Sequence, residues 1–188
     1  ILGLLQTMSM QNRTETLEIF GPSGIDEFIA ANIKVLNFGL SFPVLINIIK
    51  DEKIVDNEKF SIYTCKANHS VIAYSYLFEE KDKPGRFNVK KAKELGIPEG
   101  ELWNKLQNGT EINNNGNIIK PEQVLGEKRP GIKIGISGDT MPTKELEVFF
   151  KDCDYLVFDS TFVEEQKQRA LDTCHSTAKE AAILGKNA

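Results

Sequence analysis

The chain has 188 residues, of which 27% are charged and 40% hydrophobic, and its net charge is −4. That length holds one domain with a real core, or a large piece of a bigger one. No apolar run reaches the roughly 18 residues of a membrane span, and the first residues lack the basic start and cleavage site of a signal peptide, so a cytoplasmic location and no membrane contact are expected.

In chain order, Leu17-Glu18-Ile19-Phe20 predicts a short strand closed by Gly21-Pro22. Ser23, with Asp26 three residues on, is like a capping box and predicts a helix through Phe28, Ile29 and Ile33. Segments 44–49, 60–66 and 70–78 predict three strands of an antiparallel sheet, the last alternating through Val71, Ala73, Tyr74 and Tyr76. From about 81 to 129 the pattern changes to Pro and Gly punctuation, an Asn113-Asn114-Asn115-Gly116 turn and the single Trp103. Short helices at 88–94 and 101–107, then a hairpin around Asn115-Gly116, fit that punctuation, and the stretch reads as an arm appended to the core.

Beyond the arm, a buried strand at 132–136, a helix at 143–150, a buried strand at 155–158 and a helix at 164–171 give the alternation of an α/β layer. A final helix begins at His175. The apolar Ile1-Leu2-Gly3-Leu4-Leu5 and the helical 178–188 both look like the inside of elements, so a longer parent protein is expected. Cys65, Cys153 and Cys174 are odd in number and show no CxxC spacing, which argues for reduced, mostly buried thiols.

Three strings carry chemistry. Asp139, in Ser137-Gly138-Asp139-Thr140, follows a predicted strand at its carboxyl end, where α/β sheets place their sites; alternatively it caps the next helix or turn. His69, between Asn68 and Ser70, stands where a neutral imidazole reaches a cation, or is a satisfied structural histidine. Asp159 ends a strand and His175 follows, an acid that orients an imidazole for proton donation; otherwise the histidine belongs to a helix start capped by Ser176 and Thr177. Lys81, Lys83, Arg86, Lys90, Lys91 and Lys93 face only Asp82 over 81–93, an excess of five positive charges in an acidic chain. That concentration points to phosphate binding, against the simpler reading of a solvated helix face.

Taken together the strings resemble tRNase Z (ribonuclease Z), the tRNA 3′ endonucleases of the metallo-β-lactamase superfamily. The likeness runs from Gly3-Leu4-Leu5-Gln6 through Ile19-Phe20-Gly21-Pro22, Asn68-His69-Ser70, Pro84-Gly85-Arg86-Phe87, Leu95-Gly96-Ile97-Pro98, Gly138-Asp139-Thr140, Asp159-Ser160-Thr161-Phe162 and His175-Ser176-Thr177-Ala178. It implies an α/β metallo-β-lactamase-type αβ/βα sandwich, incomplete in this chain, spanning 1–188 with a tRNA-binding exosite arm inserted at about 81–129. It implies His69 as a zinc ligand, Asp139 as the bridge between two zincs, His175 as the catalytic acid steadied by Asp159, and the six basic residues of the arm as RNA contacts. The expected activity is hydrolysis of precursor tRNA after the discriminator nucleotide, by a homodimer in which one subunit's arm holds substrate for the other.

Phe158 and Asp159 depart from the family's His-Glu pair, leaving the acid one methylene shorter. The Pro-Gly pair that introduces the Leu-Leu run is not intact. The family's His-x-His-x-Asp-His signature would lie upstream of Ile1 and its last metal histidine downstream of Ala188. Without those flanks, hydrolysis is expected to fail.

Two other readings compete: a different metallo-β-lactamase phosphodiesterase for small substrates, and a metal-free, inactive tRNA-binding fragment. The basic arm argues against the first; His69, Asp139 and His175 together argue against the second. Deleting 84–128 separates an RNA processor from a small-substrate enzyme. The expected outcome is loss of tRNA cutting with hydrolysis of a small phosphodiester kept, measured on both substrates.

Overall fold

The computed structural model describes residues 1–50 and 52–188. It divides into two compact units, one of residues 1–79 with 133–188 and one of 80–132.

The larger unit opens with α1 (Leu2–Met10), β1 (Leu17–Gly21), α2 (Ile25–Leu36) and β2 (Val44–Ile48). β1 and β2 pair in parallel, with Ile19 beside Ile46, and form a two-stranded sheet of their own. Parallel neighbours need a crossover, and α2 supplies it. Its apolar residues Ile25, Ile29 and Ile33 pack with Leu5, Ile19, Phe42, Val44 and Ile46. The antiparallel role expected of 44–49 is therefore incorrect: this burial against α2 draws the segment to β1 instead. Ser23 does not cap α2 either. Gly24 holds the N-cap position at φ 92°, and no side chain closes it.

The second sheet has the order β3 (Lys53–Asp56), β4 (Phe60–Lys66), β5 (Tyr74–Glu80), β8 (Lys133–Ile136), β9 (Tyr155–Val157). β3 and β4 are antiparallel, as are β5 and β8, whereas β8 and β9 run parallel. β3 was not anticipated. The strand expected from Ser70 starts only at Tyr74, and Val71 and Ile72 lie exposed before it. β9 is not the buried strand its composition predicts, since Tyr155 is 64% and Val157 62% exposed. Only its opposite face is covered, where Leu156 packs with Phe150, Leu146 and Leu184.

Those partners come from α5 (Lys144–Phe149), the residue that follows it, and α7 (Ala178–Asn187). Thr143 caps α5 by accepting the Leu146 amide, and Thr177 with Glu180 forms a reciprocal capping box on α7. The last helix thus starts at Ala178, three residues after His175. The helix expected over 164–171 is split into a 3₁₀ turn, Glu164–Gln166, and α6 (Lys167–Asp172). Cys65, Cys153 and Cys174 are free and half-buried rather than mostly buried.

The smaller unit holds the two expected helices, α3 (Val89–Glu94) and α4 (Glu101–Gln107), and the expected hairpin of β6 (Ile112–Asn114) and β7 (Asn117–Ile119). It has its own core of Ala92, Ile97, Leu106, Ile112, Ile119 and Val124, with Trp103 and Phe87 against it. Backbone hydrogen bonds in both directions between Lys83 and Arg129 clasp its two ends. Gly85 passes so close to the Gly126 backbone that a Cβ there would lie 2.0 Å from the carbonyl oxygen. Among the described residues, no helix is long and apolar enough to cross a membrane.

At Gly135 in β8, a Cβ would stand 2.5 Å from the Phe150 ring. Gly135→Ala should therefore destabilise the fold by about 1–3 kcal/mol through overpacking, read as a lower urea midpoint at unchanged m-value.

Candidate metal and proton-transfer site

β8 ends at Ile136, and the chain then turns through Gly138 at φ 62°, a left-handed conformation that glycine adopts without cost. The turn leaves Asp139 exposed and carries Thr140 back into the interior. Asp139 does not cap α5, since Thr143 does.

Thr140 is fully buried and joins three segments. Its hydroxyl accepts the Asn68 amide at 2.9 Å, its amide donates to Asp159 Oδ2 at 3.0 Å, and its carbonyl accepts the Ser176 hydroxyl at 2.7 Å. Ser137 adds a second tie, its hydroxyl accepting the Asp159 amide at 2.9 Å while its carbonyl accepts the Ser75 hydroxyl at 2.8 Å. Among the described residues no buried side-chain nitrogen or oxygen lacks a partner. Buried hydroxyls are costly unless paired, so this network fixes the loops it connects.

The two histidines that these loops carry stand with ring centroids 5.0 Å apart, edge to face. His69 Nδ1 lies 2.9 Å from the Cys174 carbonyl oxygen, which can only accept, so Nδ1 carries the proton. The lone pair is left on Nε2. Cys174 can present that carbonyl because it adopts φ 57° just past α6. There the His175 amide bonds the Ala170 carbonyl and the Cys174 amide bonds that of Leu171, the double closure of a Schellman motif. Glycine is usual at such a position, and a cysteine costs about 1 kcal/mol of backbone strain.

His175 Nδ1 lies 2.7 Å from Asp159 Oδ2, and the Asp159 side chain is 1% exposed. Burial works to raise the Asp159 carboxyl, but the Thr140 amide, the Thr161 hydroxyl and amide, and the His175 ring outweigh it and hold the group below the usual carboxylate value. The shorter acid therefore still reaches its imidazole. Phe158, in the other departing position, packs into the core beside Leu146 and Phe150.

One donor atom each from His69, Asp139 and His175 falls within 4.8 Å of the others. Two imidazoles and a carboxylate suit a borderline cation such as zinc, and both imidazoles have Nδ1 engaged in the manner of metal-bound histidines. The residues present fit a metal. The structure thus brings together His69, Asp139, His175 and Asp159.

The six basic residues lie in the smaller unit. Lys83 pairs with Glu80 at 2.6 Å and Lys90 reaches Glu94 at 4.0 Å, two acids just outside the 81–93 window, so the charge excess is smaller than the window implies. Arg86, Lys91 and Lys93 are exposed and Lys81 is half-buried. Sequence reasoning assigned no role to Thr140, Ser137 or Thr161 beyond membership of a motif, nor any to the Cys174 carbonyl. Buried hydroxyls and a left-handed cysteine leave no periodic signal.

No family model matches the chain. It is 84% identical over 188 residues to "Ribonuclease Z" of Nitrosopumilus maritimus, covering 63% of that protein, and 39% identical over 189 residues to "Ribonuclease Z" of Myxococcus xanthus, covering 62%. Among solved structures it is similar to the human tRNase Z short form (ELAC1), with TM-score 0.63 and 18% identity over 62% of that chain. The metallo-β-lactamase fold protein YhfI of Bacillus subtilis gives TM-score 0.55 and 14% identity over 54% of its length. The fold is therefore the metallo-β-lactamase fold, built here in part. The likeness in sequence to ribonuclease Z extends over the whole of this chain, which spans somewhat less than two thirds of those relatives.

Asp159→Asn retains shape but replaces one acceptor oxygen with a donor, which must then face the N–H of either Thr140 or Thr161. A loss of about 1–3 kcal/mol at pH 7 is expected. Because the folded carboxyl is held low, its contribution is present above the unfolded value near pH 4 and is lost as pH falls through the folded value. The gap between wild type and variant should accordingly close below about pH 4 in urea titrations.

Proposed function

We propose that this chain contributes the proton-donor half, and part of the metal-binding half, of a zinc-dependent endoribonuclease that removes 3′ trailers from precursor tRNA. The observation that carries the reading is the convergence of His69, Asp139 and an Asp159-held His175, in a chain so similar to ribonuclease Z.

His69 through Nε2 and Asp139 through its carboxylate would hold the metal, with further ligands from outside these residues. When bound, such a metal acidifies water toward neutral pH and withdraws charge from phosphoryl oxygens. The work of this chain is in the proton and the geometry. Attack of water on phosphorus after the discriminator nucleotide breaks the bond to the 3′ oxygen, and His175 Nε2–H gives that oxygen its proton. Asp159 holds Nδ1 and stabilises the charged ring before transfer; the Thr140 and Thr161 donors keep Asp159 ionised at neutral pH. The exposed bases Arg86, Lys91 and Lys93 of the smaller unit, with Lys81, Lys83 and Lys90, are proposed to grip the tRNA backbone. Two zincs, a homodimer and a cytoplasmic site of action belong to the same reading.

A second role for His175 has geometry in its favour, because its donor atom falls within the three-residue cluster and a carboxylate-held imidazole is also how metals are bound. His175→Ala in the whole protein distinguishes the two. As the acid, its loss lowers single-turnover cleavage about 10²–10⁴-fold with metal content and tRNA affinity kept. A parallel loss of metal by elemental mass spectrometry makes it a ligand, and unchanged turnover overturns both roles.

A further inference from the structure

Phe162 lies against the outer edge of the site. Its ring centroid is 6.0 Å from that of His175, and its backbone is pinned by the Phe162 amide to the Ser176 carbonyl and by the Ala178 amide to its own carbonyl. These bonds tie it in register with the loop that carries His175, so the ring cannot drift from the site without that loop. The side chain is half-buried, whereas Phe150 is fully buried.

Over the same ring stands Arg169, its guanidinium carbon 5.4 Å from the centroid. The neighbouring cations are spoken for: Lys167 pairs with Glu180 at 3.2 Å and Lys179 with Glu164 at 3.3 Å. Arg169 forms no ion pair with a carboxylate among the described residues, although Glu164, Glu165 and Asp172 are close in sequence. An exposed guanidinium that is parked on an aromatic face and left without an acid keeps its forked donors for an oxyanion such as a phosphate.

We propose that Phe162 and Arg169 form a nucleotide subsite next to the scissile phosphodiester, outside the basic arm. In this subsite the Phe162 ring stacks on the base, and the guanidinium takes the phosphate, of a nucleotide flanking the bond that His175 serves. The pairing of an aromatic face with an arginine is how single-stranded nucleic acid is held without sequence preference. The ligand class is thus an unpaired ribonucleotide segment, as at a tRNA 3′ end. The inference rests on the endoribonuclease reading above.

The test uses the whole metal-loaded protein with Arg169→Ala, Arg169→Lys and Phe162→Leu, assayed on precursor tRNA and on bis(p-nitrophenyl) phosphate, which has no flanking nucleotide. The ratio of kcat/KM on tRNA to that on the small diester should fall at least tenfold in Arg169→Ala and Phe162→Leu, with Arg169→Lys recovering part of it. Single-turnover saturation should assign the loss to KM more than to kcat. An equal fall on both substrates, or a fall on neither, overturns the subsite. Wild-type protein that cleaves the small diester but not tRNA overturns the endoribonuclease reading itself, and the subsite with it.

Discussion

The amide, hydroxyl and carbonyl of Thr140 each bind a different segment: the acid Asp159, the Asn68 amide beside His69, and the Ser176 hydroxyl beside His175. The bonds to Asp159 and Ser176 are buried, where an unmade one costs about 1–3 kcal/mol, and the one to Asn68 is partly buried, so the three loops are coupled through this residue. The positions of both imidazoles and of the buried acid are consequences of this one residue's placement. That placement depends in turn on Gly138, whose left-handed turn brings the chain from the end of β8 back under the site.

The exposed and the buried members of the site obey different physics. Asp139 faces solvent at the end of the β8 turn. The Asp159 side chain is buried, so desolvation opposes its ionisation, and four hydrogen-bond donors outweigh that and hold the carboxyl below its usual value. The result is a negative charge behind His175, available at neutral pH and set by the donors around it. His175 sits ahead of α7, in a loop, and its ring reaches Asp159 at 2.7 Å.

The motif residues were legible because chemistry restricts them to a few side-chain types in a fixed order. His69, Asp139, Asp159 and His175 stand out in a chain with two histidines. The smaller unit's helices and hairpin were legible from its Pro and Gly punctuation, Gly96 and Gly100 among it, and from Asn115-Gly116, since turns are local. What failed was non-local or stereochemical. Nothing in 44–48 states that it pairs in parallel with 17–21; the pairing follows from how α2 buries Ile29, and hydrophobic runs read alike in either sheet direction. Tyr155 and Val157 have the composition of a buried strand and are exposed on one face, because burial depends on which elements cover that face. Cys174 at φ 57° breaks the glycine preference that a reader of sequence relies on.

That exception at Cys174 links helix termination to ligand chemistry. Closing α6 with a Schellman motif turns the Cys174 carbonyl outward, and the same carbonyl fixes the proton of His69 on Nδ1, while the next residue, His175, is delivered to Asp159. One left-handed residue therefore sets the tautomer of one imidazole and the position of the other. A glycine there would relieve the strain and loosen both, since its unfolded chain is freer and its folded turn less restricted. These supporting bonds are all made within the chain itself, so the ring nitrogens of both histidines are held by its own packing. In the proposed metal-binding role such preorientation would leave less of the binding energy to be spent on ordering ligands.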